Sequence, residues 1–155
     1  MKIIKLVFLL SILMSCNKEK QTSIEAYLVN MTTHNIKLFI YSYGLTYPKD
    51  TVNLSPNQLF FYGGGNERGI NTAPGFVSIY RGKDSIIVKY DNQYPVTHYL
   101  NTPTNLATKN YVFTSLRNLI FAPSYRIVIT KTTKNSILKE HFYEFTEADY
   151  QFARQ

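Results

Sequence analysis

The chain has 155 residues, and its 17 lysine and arginine residues against 10 aspartate and glutamate residues give a formal net charge of +7. The basic residues are scattered and nowhere form a run of five or six, so the charge pattern disfavours a nucleic-acid partner. The single cysteine, Cys16, leaves no internal disulfide and no cysteine-based metal site. The length suits one domain that is held together by a packed core.

The first sixteen residues have the pattern of a secreted precursor. Lys2 and Lys5 precede an apolar run over residues 6–14, which is too short to cross about 30 Å of hydrocarbon as a helix. A positive start followed by such a run is typical of a secretory signal peptide, which we therefore expect over residues 1–15.

The apolar run ends at Leu13-Met14-Ser15-Cys16, which resembles the bacterial lipobox. The resemblance implies cleavage between Ser15 and Cys16 and acylation of Cys16 by palmitate-like chains. Two or three acyl chains hold a protein firmly to a bilayer, whereas one binds only marginally. Residues 16–23 are polar beyond the cysteine and lack apolar periodicity, so they are expected to form a tether.

Residues 24–155 predict a single β-rich domain. Short segments rich in β-branched and aromatic residues recur between turn residues, and several alternate apolar with polar positions. The segments 50–54 and 58–62 are expected to pair around Ser55-Pro56-Asn57. A two-residue hairpin is expected at Gly82-Lys83, where glycine suits a type II′ turn. The predicted strands are 24–29, 36–43, 50–54, 58–62, 76–81, 84–90, 125–130 and 137–145.

After residue 145 the spacing of apolar residues changes from that of a strand to that of a helix. Thr146 is a suitable N-cap, and acidic residues follow it in what would be the first helical turn. The stretch 101–123 contains a loop, a candidate short strand at 111–114 and a segment at 116–121 that suits helix or strand.

Taken together, these segments predict an all-β, mainly antiparallel β-sandwich, immunoglobulin-like or similar, with a short C-terminal helix. An up-and-down barrel is the alternative.

The sequence contains no recognisable catalytic motif. His34, His98 and His141 lack the spacing of a short metal motif, and no Gly-x-Ser-x-Gly elbow exists. We therefore expect no enzyme, no metal and no cofactor. Gly63-Gly64-Gly65 is expected to form a flexible hairpin tip, from which Glu67 and Arg68 are candidates for ligand contact.

Tyrosine is the most conspicuous residue type, with 13 copies and no tryptophan. Tyr43, Tyr47, Tyr62 and Tyr94 are candidate contacts because each combines an apolar ring with a hydroxyl near a strand end or loop. Tyrosine is also a favoured strand residue, so a structural role is the competing interpretation.

With the lipobox, the strand at 84–91 and the terminal segment 145–150, the chain resembles the small cell-envelope lipoproteins of Bacteroidota, a group of largely uncharacterised function. The resemblance implies a lipid anchor in the cell envelope, at the outer membrane, with the periplasmic or surface side left open. It also implies O-glycosylation at Asp-Ser/Thr-aliphatic triplets, which would mark Thr51 and Ser85.

Two functions remain from the sequence. The first is a non-enzymatic binding or assembly domain for a protein partner of the envelope. The second is a glycan-binding accessory lipoprotein at the cell surface. Loss of glycan affinity on substitution of loop tyrosines would favour the second.

Overall fold

The computed structural model describes residues 21–68 and 83–155. The predicted signal peptide, Ser15, Cys16, most of the tether, and the predicted strand 76–81 with its turn at Gly82 lie outside the described residues. The described elements are β1 (Gln21–Asn30), β2 (Ile36–Ser42), β3 (Asp50–Leu54), β4 (Leu59–Arg68), β5 (Lys83–Tyr90), β6 (Tyr94–Tyr99), β7 (Asn110–Tyr111), a 3₁₀ turn (Ala122–Ser124), β8 (Arg126–Thr132), β9 (Ser136–Phe145) and α1 (Glu147–Arg154).

The strands form two sheets. Sheet A has the order β4-β1-β9-β8, and sheet B has the order β3-β2-β5-β6-β7. The β1–β9 and β6–β7 pairs are parallel, and the other pairs are antiparallel. The predicted all-β sandwich with a short C-terminal helix is confirmed, and its sheets are mixed because of the two parallel pairs.

The core lies between the sheets, as strand alternation requires. Along β1 every second residue is buried, including Ala26 and Leu28. The same alternation in β2 buries Leu38 and Ile40, which join the cluster from the opposite sheet. Further members come from the other strands, the 112–125 region and the helix: Val52, Leu54, Ile86, Val88, Tyr90, Val96, Leu119, Ile120, Tyr125, Tyr143, Phe145, Tyr150 and Ala153.

The predicted pairing of 50–54 with 58–62 is wrong. β3 pairs with β2 in sheet B, whereas β4 pairs with β1 in sheet A, so the connection at Ser55-Pro56-Asn57 crosses between sheets. The buried Asn30 amide stabilises this crossing by donating to the carbonyls of Leu54 at 3.2 Å and Ser55 at 3.0 Å. Alternation decides which face of a strand is buried, but it leaves the partner strand open.

The glycine cluster is also corrected. Gly63, Gly64 and Gly65 lie inside β4, which continues to Arg68, so they do not form a hairpin tip. A Cβ at position 64 would lie 2.8 Å from the Ile24 carbonyl oxygen, so the close approach of β4 to β1 requires glycine there.

The helix begins where the sequence predicts it. The Asp149 carboxylate accepts hydrogen bonds from the Thr146 backbone N–H at 2.7 Å and from its hydroxyl at 2.8 Å. The same carboxylate pairs with Arg117, which belongs to the 101–123 stretch.

The 101–123 stretch contains the two-residue strand β7 and a series of turns. None of the helices in the described part of the chain is long and apolar enough to span a membrane.

Candidate functional site

The outer face of sheet A carries a continuous row of four side chains, one from each strand. Phe61 of β4 lies opposite Tyr27 of β1, Tyr27 lies opposite Phe142 of β9, and Phe142 lies opposite Arg126 of β8. We call these four residues the aromatic row. Because β1 buries its even-numbered positions, Tyr27 belongs to the odd-numbered set that points away from the core.

The rings of the aromatic row contact one another in sequence. The Phe61 and Tyr27 centroids are 5.6 Å apart at 61°, an edge-to-face arrangement. The Tyr27 and Phe142 centroids are 5.2 Å apart at 14°, a stacked arrangement. The Arg126 guanidinium lies 4.8 Å from the centroid of Phe142. These contacts fix the orientation of each ring before any ligand arrives.

The ring orientations determine what the row offers to a ligand. Tyr27 stacks on Phe142, and the Arg126 guanidinium also packs over the Phe142 ring. The ring faces that a sugar would need for stacking are therefore engaged within the protein. Phe61 remains the open end of the row, with 54% of its surface exposed.

Charged groups border the row. Arg126 donates to Glu144 Oε1 from Nε at 2.9 Å and from Nη2 at 2.6 Å. Two residues before Tyr27 and Phe142 along their strands, Glu25 of β1 and Glu140 of β9 lie side by side on the same face. The Tyr27 hydroxyl donates to Glu25 at 2.7 Å, and this bond, with burial and the nearby carboxylates, raises the Tyr27 pKa to about 12.

Apolar side chains extend the surface at the edge strands. Leu59, two residues before Phe61 on β4, is exposed and lies opposite Val29 of β1. On the far edge strand β8, Val128 lies opposite Glu140 and shares this face, whereas the exposed Ile127 and Ile129 alternate with it and point to the other side of the sheet. The face therefore combines an apolar centre with a charged border.

The tyrosines singled out from the sequence do not come together. Tyr43 and Tyr47 are exposed in the loop between β2 and β3. Tyr62 faces inward and packs against the core cluster. Tyr94 begins β6 at the other end of sheet B, where its ring contacts Tyr150 at 5.8 Å between centroids. Tyr62 and Tyr94 thus have structural contacts, and no shared site unites the four.

The other predicted site residues also lie apart from one another. Glu67 and Arg68 lie at the end of β4 rather than in a loop. Thr51 is exposed on the edge strand β3, so a modifying enzyme could reach it in the folded domain. Ser85 is buried in β5, between β2 and β6, and burial disfavours its modification after folding.

The three histidines occupy unrelated places. His34 Nδ1 lies 2.6 Å from Asp91 Oδ2, and its ring stacks on Tyr150 of the helix at 3.5 Å. His98 is buried and accepts a hydrogen bond from the Leu119 backbone N–H at 2.8 Å. His141 is buried in β9. Within residues 21–68 and 83–155, no group of three or more histidine, cysteine, aspartate or glutamate side chains is placed to hold a metal.

Sequence reasoning missed Tyr27, Phe61, Phe142 and Arg126. The segments 24–29 and 137–145 were predicted as strands, and the alternating burial that the structure shows along β1 and β9 places Tyr27 and Phe142 on outward-facing positions. The neighbour relation between β1 and β9 was not visible, because these strands are far apart in the chain and pair in parallel. The row exists only once that pairing is known.

Neither a protein-family model, nor a curated protein, nor a solved structure matches the chain.

Proposed function

We propose that this protein is a lipid-anchored lipoprotein of the cell envelope whose β-sandwich binds or assembles with a protein partner, without catalysis. The anchor is acylated Cys16, and the binding surface is the aromatic row on the outer face of sheet A. The observation that carries the proposal is the register that aligns Phe61, Tyr27, Phe142 and Arg126 across four strands.

The row supports a protein partner for a physical reason. Burying apolar surface contributes about 25 cal/mol per Å² removed from water, and aromatic side chains supply most area per residue. The rings are already ordered by contact with one another, so little side-chain entropy is lost on binding. Aromatic and arginine residues are also the types enriched at the centres of protein interfaces.

The aromatic row is less suited to binding a glycan. Sugars bind aromatic side chains by stacking on a ring face, but the stacked pair of Tyr27 and Phe142 presents mainly ring edges outward. Glu25 and Glu140, which neighbour each other in the next register position, instead favour a partner with basic groups beside its apolar surface.

The binding claim is tested by purifying the full chain from detergent-solubilised envelopes and measuring the stoichiometry of any co-purifying protein. Phe61→Ser removes the exposed end of the row and is expected to lower recovery of the partner about tenfold or more, as loss of an interface anchor does. Leu116→Ser is the matched control, because Leu116 is 69% exposed in a different part of the surface.

Unchanged partner recovery with Phe61→Ser, or equal loss with Leu116→Ser, contradicts the binding claim. Circular dichroism of each variant verifies that the sandwich is folded. The anchor is tested separately by labelling cells with palmitate. Label is expected on the wild-type chain and not on Cys16→Ala, and label that survives the substitution contradicts the anchor.

A further inference from the structure

Sheet B carries a depression of about 240 Å³ on the side of the sandwich away from the aromatic row. It lies where the start of β2, the end of β3 and the turn between β5 and β6 meet. Its polar lining consists of Asn35, Lys37, Asn53, Ser55 and Asn92, with Ile36 and Leu54 completing the wall. Its volume is below the roughly 300–1,000 Å³ of clefts that hold drug-sized ligands, and it suits a single sugar ring.

The polar side chains around the depression are available to a ligand. Within the described residues, the amides of Asn35, Asn53 and Asn92 and the hydroxyl of Ser55 form no hydrogen bond to another side chain or to the backbone; the bonds of Asn35 and Ser55 are made by their backbone groups. Amide and hydroxyl groups both donate and accept, which matches the hydroxyls of a sugar.

The depression adjoins a concentration of positive charge. Lys37 lies directly opposite Lys89 across the β2–β5 pair, and their Nζ atoms are 5.2 Å and 5.4 Å from the centroid of Phe39. Like charges at directly opposed positions destabilise a sheet. Neither lysine has a salt bridge to a carboxylate among the described residues.

The acidic residue that precedes Asn92 in the chain is engaged with other groups. Asp91, beside Asn92, has one carboxylate oxygen 2.6 Å from His34 Nδ1, and the other accepts from the Asn35 backbone N–H at 3.0 Å. Of the two lysines only Lys37 lines the depression, so an anion there would meet Lys37 while the amides contact neutral hydroxyls beside it. Lys89, opposite Lys37 on β5, adds its positive charge from outside the lining.

We propose that this depression binds one ring of an acidic saccharide, with Lys37 holding its anionic group and Asn35, Asn53 and Asn92 contacting its hydroxyls. The anionic group is a carboxylate or a phosphate, since an ammonium group binds either. The site is on the opposite sheet from the aromatic row, so its failure and that of the protein-binding surface are separable.

The test is a titration of the ¹⁵N-labelled protein with galacturonate and, separately, with glucose 6-phosphate, followed by amide chemical shifts. Saturable shifts at Asn35, Asn53 and Asn92 are expected with at least one of the two, and the one that binds identifies the anion. Lys37→Gln and Asn53→Ala are each expected to weaken that binding about tenfold, as loss of a hydrogen bond to a charged or polar partner does. Lys131→Gln, on sheet A, is the charge-matched control and leaves the affinity unchanged.

Three results overturn the proposal. The first is the absence of saturable shifts with either probe. The second is equal affinity for neutral galactose, which excludes the role of the lysines. The third is equal affinity for inorganic phosphate that Asn53→Ala does not change, which indicates a general anion contact without sugar recognition.

Discussion

Tyr27 and Phe142 stack across the parallel β1–β9 pair, with ring centroids 5.2 Å apart and 14° between their planes. The two residues are 115 positions apart in sequence. Their contact links the first described strand of sheet A to its last.

This stacked pair is expected to contribute to folding as well as to binding. A double-mutant cycle with Tyr27→Ala, Phe142→Ala and the combined variant should give a coupling free energy of about 1 kcal/mol in urea unfolding. A cycle between Tyr27 and Phe39, which lies on the other sheet, should give a coupling near zero. Equal coupling in both cycles would show that the stacked contact is not specific.

The Arg117–Asp149 pair should be the strongest polar contribution to stability near the helix. Asp149 is buried, accepts from Arg117 Nε at 2.9 Å and also caps the helix through Thr146. Asp149→Ala leaves a half-buried guanidinium without its partner and removes the cap, so the free energy of unfolding should fall by about 3 kcal/mol. Gln151→Ala, exposed on the same helix, should change it by less than about 0.5 kcal/mol.

Two buried histidines predict a stability that falls in mild acid. Burial, with the charge of Arg117 adding to it, lowers the pKa of His98 from 6.5 to about 3. Burial, with the charge of Lys139 adding to it, lowers the pKa of His141 from 6.5 to about 4. Below about pH 6.5 the unfolded chain therefore binds protons that the folded protein excludes, and stability decreases toward the folded pKa values.

The measurement is the free energy of unfolding in urea between about pH 6.5 and pH 5, where each histidine should cost about 1.5 kcal/mol. His98→Gln keeps an acceptor for the Leu119 N–H and removes one titrating group. For this variant, the slope of the free energy of unfolding against pH should be smaller than that of the wild type by the contribution of about one proton. A slope identical to that of the wild type would mean that His98 titrates alike in the folded and unfolded states.

Gly64→Ala should destabilise the edge of sheet A. The added Cβ would lie 2.8 Å from the Ile24 carbonyl oxygen and 3.7 Å from Phe61 Cζ, so β4 must move away from β1. The expected loss is about 1–3 kcal/mol in the free energy of unfolding. Asn66→Ala, exposed in the same strand, should cost at most about 0.5 kcal/mol. A loss of similar size in both variants would contradict the steric account.

Much of the fold was predictable, because alternation and turn residues report on local structure. The strands at 24–29, 36–43, 84–90 and 137–145 and the helix after Thr146 were located from them. The partner of each strand was not predictable. The crossing between β3 and β4 and the parallel pairing of β1 with β9 depend on contacts between distant segments, and alternation is compatible with several pairings.

The same limit explains the candidate site. Loop tyrosines such as Tyr43 were conspicuous in the sequence because of their residue type, but they lie apart from one another in the structure. Tyr27 and Phe142 resembled ordinary strand residues, since aromatic side chains are common in strands. Their distinction is the shared row, which follows only from the register of β1 with β9.

The most direct test of the protein-binding surface is photo-crosslinking in intact cells. A photoreactive phenylalanine analogue at position 61 keeps an aromatic ring at the exposed end of the row, and the same analogue at position 39 probes the outer face of sheet B. The account predicts one crosslinked species of defined mass from position 61, absent from position 39 and lost when Arg126→Glu is added. No crosslink from position 61, or the same species from both positions, would contradict it.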